Sequence, residues 1–297
     1  MKLPTLRAGI LCAVILASAA HAQEPGGTLR KIKETGAITI GHRESSIPFS
    51  YLDDRQQPIG YAMDLCMKVV DAVKTELKLP NLKVGLQPVT SSNRIPLLQN
   101  GTIDLECGST TNSVVRQQQV AFGPSYFVTN ITAAVKKRSG INAIADLNGK
   151  TVSTTSGTTS VPLIKAYEKA KHVVVKEIYG KDHAESFLLL ADDRAAAFVM
   201  DDILLAGQIA NSKSPGDYRI LPESLRQEPY AMMLRKDDPE FKALVDKAVG
   251  AVMKSGEIEK IYARWFASPV PPKGINLNFP ITPAIREAFR SPGDKGV

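Results

Sequence analysis

Phe127-Val128-Thr129-Asn130-Ile131-Thr132-Ala133-Ala134-Val135 is the stretch on which the architecture turns. It is a long β-branched run lying between two passages that share one rhythm. Upstream, a helix at Leu29–Glu34 leads to a β-branched strand at Ala37–Gly41. Phe49–Tyr51, the polar turn Asp53–Pro58 and Gly60-Tyr61 form a hairpin pattern. From Ala62 to Leu77 the apolar positions Met63, Cys66, Val69, Val70, Val73 and Leu77 recur at helical spacing, and Pro80 closes the run. A strand at Leu82–Val89, a short helix at Asn93–Asn100 and a strand at Ile103–Cys107 complete the first passage.

Beyond Val135 the rhythm restarts. Strands are predicted at Thr151–Thr155, Val173–Ile178 and Ala195–Met200, with helices near Val161–Ala170 and His183–Leu190. A strand at Tyr230–Leu234 precedes helices at Pro239–Lys254 and Glu257–Phe266. The Pro- and Asn-rich tail after Ser268 should run over the surface to a helix at Pro283–Phe289 and a frayed Ser-Pro-Gly end. Such alternation implies two α/β units, each a mostly parallel sheet flanked by helices. The chain is expected to cross into the second unit near Val128–Ile131 and return near Gln227–Tyr230, a two-strand hinge with a ligand site between the lobes.

The N-terminus is built differently. Lys2 and Arg7 precede an apolar run from Ala8 to Ala19, and Ala20-His21-Ala22 has the small-x-small pattern of a cleavage site. This is the pattern of a secretory signal peptide cut after Ala22, its apolar run too short to anchor the chain in a bilayer. The division expected is therefore signal peptide 1–22, lobe 1 at 23–129, an inserted lobe 2 at 130–227, and a return to lobe 1 with the C-terminal tail at 228–297. Of 297 residues, 275 remain after cleavage, and the net charge falls from +7 to +5 with the loss of Lys2 and Arg7. That excess is dispersed, which argues against nucleic acid as a partner and suits the approach of an anionic ligand. Cys66 and Cys107 stay in the mature chain, with no CxxC and no His/Cys cluster, so neither metal nor cofactor is expected.

Seven strings carry a resemblance. They are Gly41-His42-Arg43-Glu44-Ser45-Ser46, the stretch from Thr90 to Thr102, Glu106-Cys107-Gly108-Ser109-Thr110-Thr111-Asn112, Ser156-Gly157-Thr158-Thr159-Ser160, Lys181-Asp182-His183, Met200-Asp201-Asp202 and Leu234-Arg235-Lys236-Asp237-Asp238-Pro239. In this order, from about Leu29 to the tail, they resemble the periplasmic glutamate/aspartate-binding proteins of ABC uptake systems. The resemblance implies a type II periplasmic binding protein fold, a monomer that hands its ligand to an inner-membrane permease, and no catalysis.

Each string follows a strand-like run, so its polar residues should lie at the carboxyl ends of sheet strands, where open α/β sheets bind ligands. The planar fork of Arg116 suits a carboxylate, with Ser109 and Thr111 as further donors. The loop before Pro162 offers free backbone N–H groups at a helix N-terminus, and the resemblance sets Thr158 and Thr159 there against the α-carboxylate. It assigns the ammonium to Asp201 (Asp202 being the alternative) together with Ser109. It also brings Arg43, Ser91, Arg94 and His183 to the far end of the cleft, where clustered cations call for a second carboxylate. His42 and His172 have ordinary structural readings. Where the resemblance would lead to a second Cys before Leu234, this chain has Met232-Met233, which leaves Cys66 as the only partner for Cys107, and free, buried thiols are favoured over that bridge. Two rivals share the architecture. A secreted cyclohexadienyl dehydratase would need an acid just beyond Asp201, where Ile203, Leu204 and Leu205 stand. A ligand-reporting sensor protein would need only the same clamp.

Overall fold

The computed structural model describes residues 27–297, so the expected signal peptide lies outside the described residues. Helix α1 (Gly27–Thr35) leads into strand β1 (Ala37–His42), and short strands β2 (Ser45–Ser46), β3 (Ser50–Leu52) and β4 (Pro58–Ile59) form a small antiparallel sheet. Helix α2 (Tyr61–Leu77) buries Met63, Cys66, Val69, Val70 and Val73 and ends where Lys78 turns into the left-handed region. Then come β5 (Lys83–Pro88), α3 (Arg94–Gln99), β6 (Leu105–Cys107), the single turn α4 (Val114–Gln117), β7 (Val120–Phe122) and β8 (Phe127–Lys136). The second passage holds β9 (Thr151–Thr155), α5 (Ser160–Lys171), β10 (Lys176–Gly180), α6 (His183–Ala191), β11 (Ala197–Asp201), α7 (Asp202–Asn211) and β12 (Tyr218–Ile220). The chain returns through β13 (Arg226–Tyr230), β14 (Met233–Arg235), α8 (Pro239–Lys254), α9 (Glu257–Phe266) and α10 (Pro283–Arg290).

Two sheets result, each the centre of a lobe. The first has the order β5-β1-β6-β14-β7, with β5, β1 and β6 parallel and β14 antiparallel to both of its neighbours. The second runs β10-β9-β11-β8-β12, its first three strands parallel. Strand β8 is antiparallel to β11, β12 and β13. The single strand expected at Tyr230–Leu234 is two: Tyr230 ends β13 opposite Phe127, whereas Met233 pairs across to Phe122 and Glu106. Phe127 and Tyr230 leave the second sheet into an aromatic cluster with Phe49, Tyr61 and Phe266, whose ring centroids lie 4.9–6.1 Å apart. Fully burying such a side chain contributes roughly 1.5–3 kcal/mol, so both crossing strands are anchored in lobe 1.

Two expectations fail. Cys66 and Cys107 are disulfide-bonded rather than free thiols, because α2 lays Cys66 over the end of β6 with a Cα–Cα distance of 6.2 Å, within bridging range. Nothing in a sequence separation of 41 signals that approach. Met232 fills the space beside the bridge, its Sδ 3.6 Å from the Cys66 sulfur. The C-terminal end is not frayed either. Val297 exchanges backbone hydrogen bonds with Asn112 and Val114, at 3.2 and 3.0 Å, and the Gly293 carbonyl accepts from Ser125 N–H. These bonds tie the last residues to the loop that carries Thr111 and Arg116. Among the described residues no helix is long and apolar enough to cross a membrane, and no group of His, Cys, Asp and Glu could hold a metal ion.

Candidate functional site

The facing edges of the lobes bring together most of the predicted residues. On lobe 1 each follows a strand: Arg43 after β1, Ser91 and Arg94 after β5, Ser109 and Thr111 after β6, with Arg116 on α4. On lobe 2 they sit at helix starts: Thr159 before α5, His183 opening α6, Asp201 before α7. The lobes touch directly. Arg116 donates from Nη2 to the Gly157 carbonyl at 3.1 Å, and Gln208 of α7 donates to the Ser45 carbonyl at 2.7 Å. Gly157, at φ +77°, packs so tightly on the Ser91-Ser92 backbone that an added Cβ would lie 2.7 Å from it.

Within this interface Arg43, Arg94 and His183 are almost wholly buried, at 1%, 2% and 1% exposure. Burial of so many polar groups is tolerable only with partners, yet several atoms have none. Arg43 Nη1, Arg94 Nε, Ser91 Oγ, Ser109 Oγ, His183 Nε2 and Asp201 Oδ1 lack a hydrogen-bond partner among the described residues. Other contacts hold the same side chains in place. Arg94 donates to the Thr110 hydroxyl and lies 3.8 Å from Glu106 Oε1, Arg116 Nη1 donates to the Thr111 carbonyl at 2.9 Å, and His183 Nδ1 sits 3.0 Å from the Thr155 hydroxyl.

The electrostatics follow from this crowding. Burial, and then the neighbouring Arg94, pull the pKa of Arg43 down to about 10 and that of Arg116 down to about 9. Burial and then Arg43 and Arg94 hold the His183 imidazole well below its usual pKa. Asp201 moves the other way, raised by burial and then by the charge of Glu228. The Tyr230 hydroxyl lies near enough to influence Asp201, but makes no hydrogen bond of normal geometry to it. Three buried guanidinium groups thus face three buried carboxyl groups, one of which resists ionisation. The cluster leans positive.

Asp201 rather than Asp202 faces this cluster. Asp202 is engaged by the crossing strand, accepting from the Thr129 hydroxyl at 2.6 Å and the Asn130 side chain at 3.0 Å. Thr158 is not brought in by its side chain, since its hydroxyl donates to the Thr155 carbonyl at 2.7 Å. His42 bonds only the adjacent Arg43 carbonyl, and His172 caps α5 in the left-handed region. Sequence reasoning missed Glu106 and Glu228, both fully buried. Glu106 accepts from Thr110 at 2.7 Å and so steadies Arg94. Glu228 accepts from Thr111 at 2.5 Å and from Thr159 at 2.7 Å. The available signal for Glu106 was an acid, with Asp104, alternating with apolar residues in the run Ile103–Cys107. A groove of about 910 Å³ along Phe187, Leu188 and Tyr218 on lobe 2 is lined by none of Arg43, Ser91, Arg94, Ser109, His183 and Asp201, so the interlobe cluster is the candidate site.

Comparison with known proteins gives the family and the fold. The sequence profile of the bacterial extracellular solute-binding proteins, family 3, matches residues 38–268. The chain is 50% identical to an L-glutamate/L-aspartate-binding protein of Pseudomonas aeruginosa, over 98% of this chain and 97% of that protein. It is 45% identical to a glutamate/aspartate import solute-binding protein of Escherichia coli K12, over the full length of both. The solved cysteine-binding protein of Campylobacter jejuni aligns with a TM-score of 0.69 at 28% identity, covering 80% of this chain and 92% of that one. The profile spans most of the described residues and the fold is shared with a solved relative, and the chain belongs to the bacterial extracellular solute-binding proteins, family 3.

Proposed function

We propose that this chain is the binding component of an ABC importer. It captures L-glutamate or L-aspartate by closing two lobes around it, and a membrane permease receives the ligand from the closed form. The observation that carries this is the set of buried, unpartnered polar atoms in the interface on Arg43, Ser91, Arg94 and His183. The names of the relatives from Pseudomonas aeruginosa and Escherichia coli support it. The basic, apolar leader ending at Ala22 would direct the mature chain to the periplasm.

In this reading Arg116 and Ser109 hold the α-carboxylate, joined by Thr111 and Thr159. Because the hydroxyls of those two threonines donate to Glu228, their backbone N–H groups are the donors offered to the ligand. Asp201 and Ser109 take the ammonium. Arg43, Ser91, Arg94 and His183 take the side-chain carboxylate. Each charge-assisted hydrogen bond contributes roughly 1.5–3 kcal/mol, so a neutral amide in that position loses at least about tenfold in affinity. Ligand contacts on both lobes favour the closed state over the open one, which is what drives closure. The positions where a dehydratase would carry its acid are Ile203, Leu204 and Leu205, all buried in the core.

Small-angle scattering on ligand-stripped protein tests the clamp. Glutamate or aspartate should lower the radius of gyration. An unchanged radius with both at saturating concentration would overturn the reading.

A further inference from the structure

We propose that Glu228 is a specificity-determining residue that makes the cleft demand an α-amino group. The inference rests on the reading of the site as an α-amino-acid clamp and names a residue outside the ligand set assigned above.

Glu228 lies on β13 opposite Thr129 and is fully buried. Its Oε2 accepts a hydrogen bond from the Thr111 hydroxyl of lobe 1 at 2.5 Å and from the Thr159 hydroxyl of lobe 2 at 2.7 Å. Its Oε1 accepts from Arg226 Nε at 3.0 Å and from Arg226 Nη2. The Thr111 and Thr159 hydroxyl oxygens lie 3.5 Å apart, and Asp201, near enough to feel the Glu228 charge, has an unpartnered Oδ1.

A threonine hydroxyl has one proton and two lone pairs. With both protons directed at Glu228, both oxygens can meet a ligand only as acceptors. They suit the ligand's ammonium, while the α-carboxylate is left to the backbone N–H groups of the same residues. Charge acts in the same direction, because the Glu228 carboxylate opposes ionisation of Asp201. A bound ammonium relieves that repulsion between like charges, whereas a dicarboxylate without an amino group adds to it. Glu228 therefore acts through Thr111, Thr159 and Asp201, as a positioning residue that touches no part of the ligand itself. A glutamine at 228 has nearly the same shape but no charge. Its amide can donate, which frees one threonine hydroxyl to donate into the cleft.

The test compares glutamate with glutarate, which lacks only the amino group, by calorimetry and by displacement on ligand-stripped wild type and Glu228→Gln. Glutamate affinity should fall by about tenfold or more in the variant, while glutarate affinity stays level or rises, so the ratio between them shrinks. Thr159→Val removes one acceptor at a half-buried position and should likewise lower glutamate affinity more than glutarate affinity. Equal losses for both ligands in Glu228→Gln and Thr159→Val, or no loss, would overturn the role of Glu228. Failure of the wild type to bind glutamate at all would instead overturn the clamp reading beneath it.

Discussion

The two faces of the cleft are built from the same kind of α/β unit but carry different chemistry. Lobe 1 contributes fixed charge: Arg43 and Arg94 follow strands and Arg116 lies on α4, all three buried, with Arg94 beside Glu106 and Arg116 donating to the Thr111 carbonyl. Lobe 2 contributes helix starts, at Thr159, His183 and Asp201, and close approaches of glycine to backbone at Gly157 and Gly207. The difference separates two tasks. In the proposed reading lobe 1 supplies most of the charge pattern that selects the ligand, and lobe 2 adds His183 and closes on it. Guanidinium groups keep their charge across the physiological range even where burial lowers their pKa, whereas His183 and Asp201 can change theirs.

Substitutions can break this division. The largest effect is expected for Arg116→Ala, which removes the proposed buried partner of the α-carboxylate. Glutamate and glutamine affinity should both fall by at least about 3 kcal/mol, beyond a hundredfold, in calorimetric titration. Next is Arg94→Met, which should cost glutamate about 1.5–3 kcal/mol and leave glutamine nearly unchanged. Equal losses would remove Arg94 from side-chain recognition.

Gly207→Ala probes lobe 2 alone. In α7 it should gain up to about 1 kcal/mol of helix propensity, yet its Cβ would lie 2.5 Å from the Ile47 carbonyl across the interface. The ligand-free variant should melt no lower than wild type, while glutamate binds about 1–3 kcal/mol more weakly from overpacking in the closed form. Unchanged affinity would show that this contact is not part of closure.

The smallest effect is the pH dependence of selectivity. In the ligand-free site, burial, Arg43 and Arg94 depress the pKa of His183. A side-chain carboxylate bound beside it raises that pKa, so glutamate binding takes up a proton. The glutamate-to-glutamine affinity ratio should be level below the ligand-free pKa, fall by at most about tenfold per pH unit as pH rises toward the pKa in the complex, and level off above it. Both ligands share the opposite contribution of Asp201, whose raised pKa an ammonium would lower, so the ratio isolates the imidazole. His183→Asn should flatten it, and a flat wild-type ratio would remove His183 from the side-chain end.

Much of this was legible in the chain before folding. Periodicity located β1, α2, β9 and α8 to within a few residues, because burial on one face imposes a repeat. Most of the proposed ligand residues lie in seven short strings and were assigned through the family resemblance those strings carry, whereas Arg116 lies beyond them. Glu106 and Glu228 were not assigned in this way. Each is one acid in a short strand, and only the pairing of that strand with its neighbours shows that it is buried among arginines and threonine hydroxyls. The Cys66–Cys107 bridge and the tie from Val297 to Asn112 depend likewise on how α2 and the tail pack, which local pattern does not encode.

The account stands on the cation-lined end of the cleft selecting a carboxylate side chain. Calorimetry of glutamate, aspartate and glutamine on the same ligand-stripped mature protein tests that claim most directly. Glutamate and aspartate should bind, and glutamine should bind at least about tenfold more weakly than the better of them. Glutamine binding as tightly as glutamate would contradict the account, because Arg43, Arg94 and His183 would then surround a neutral amide at no cost in affinity.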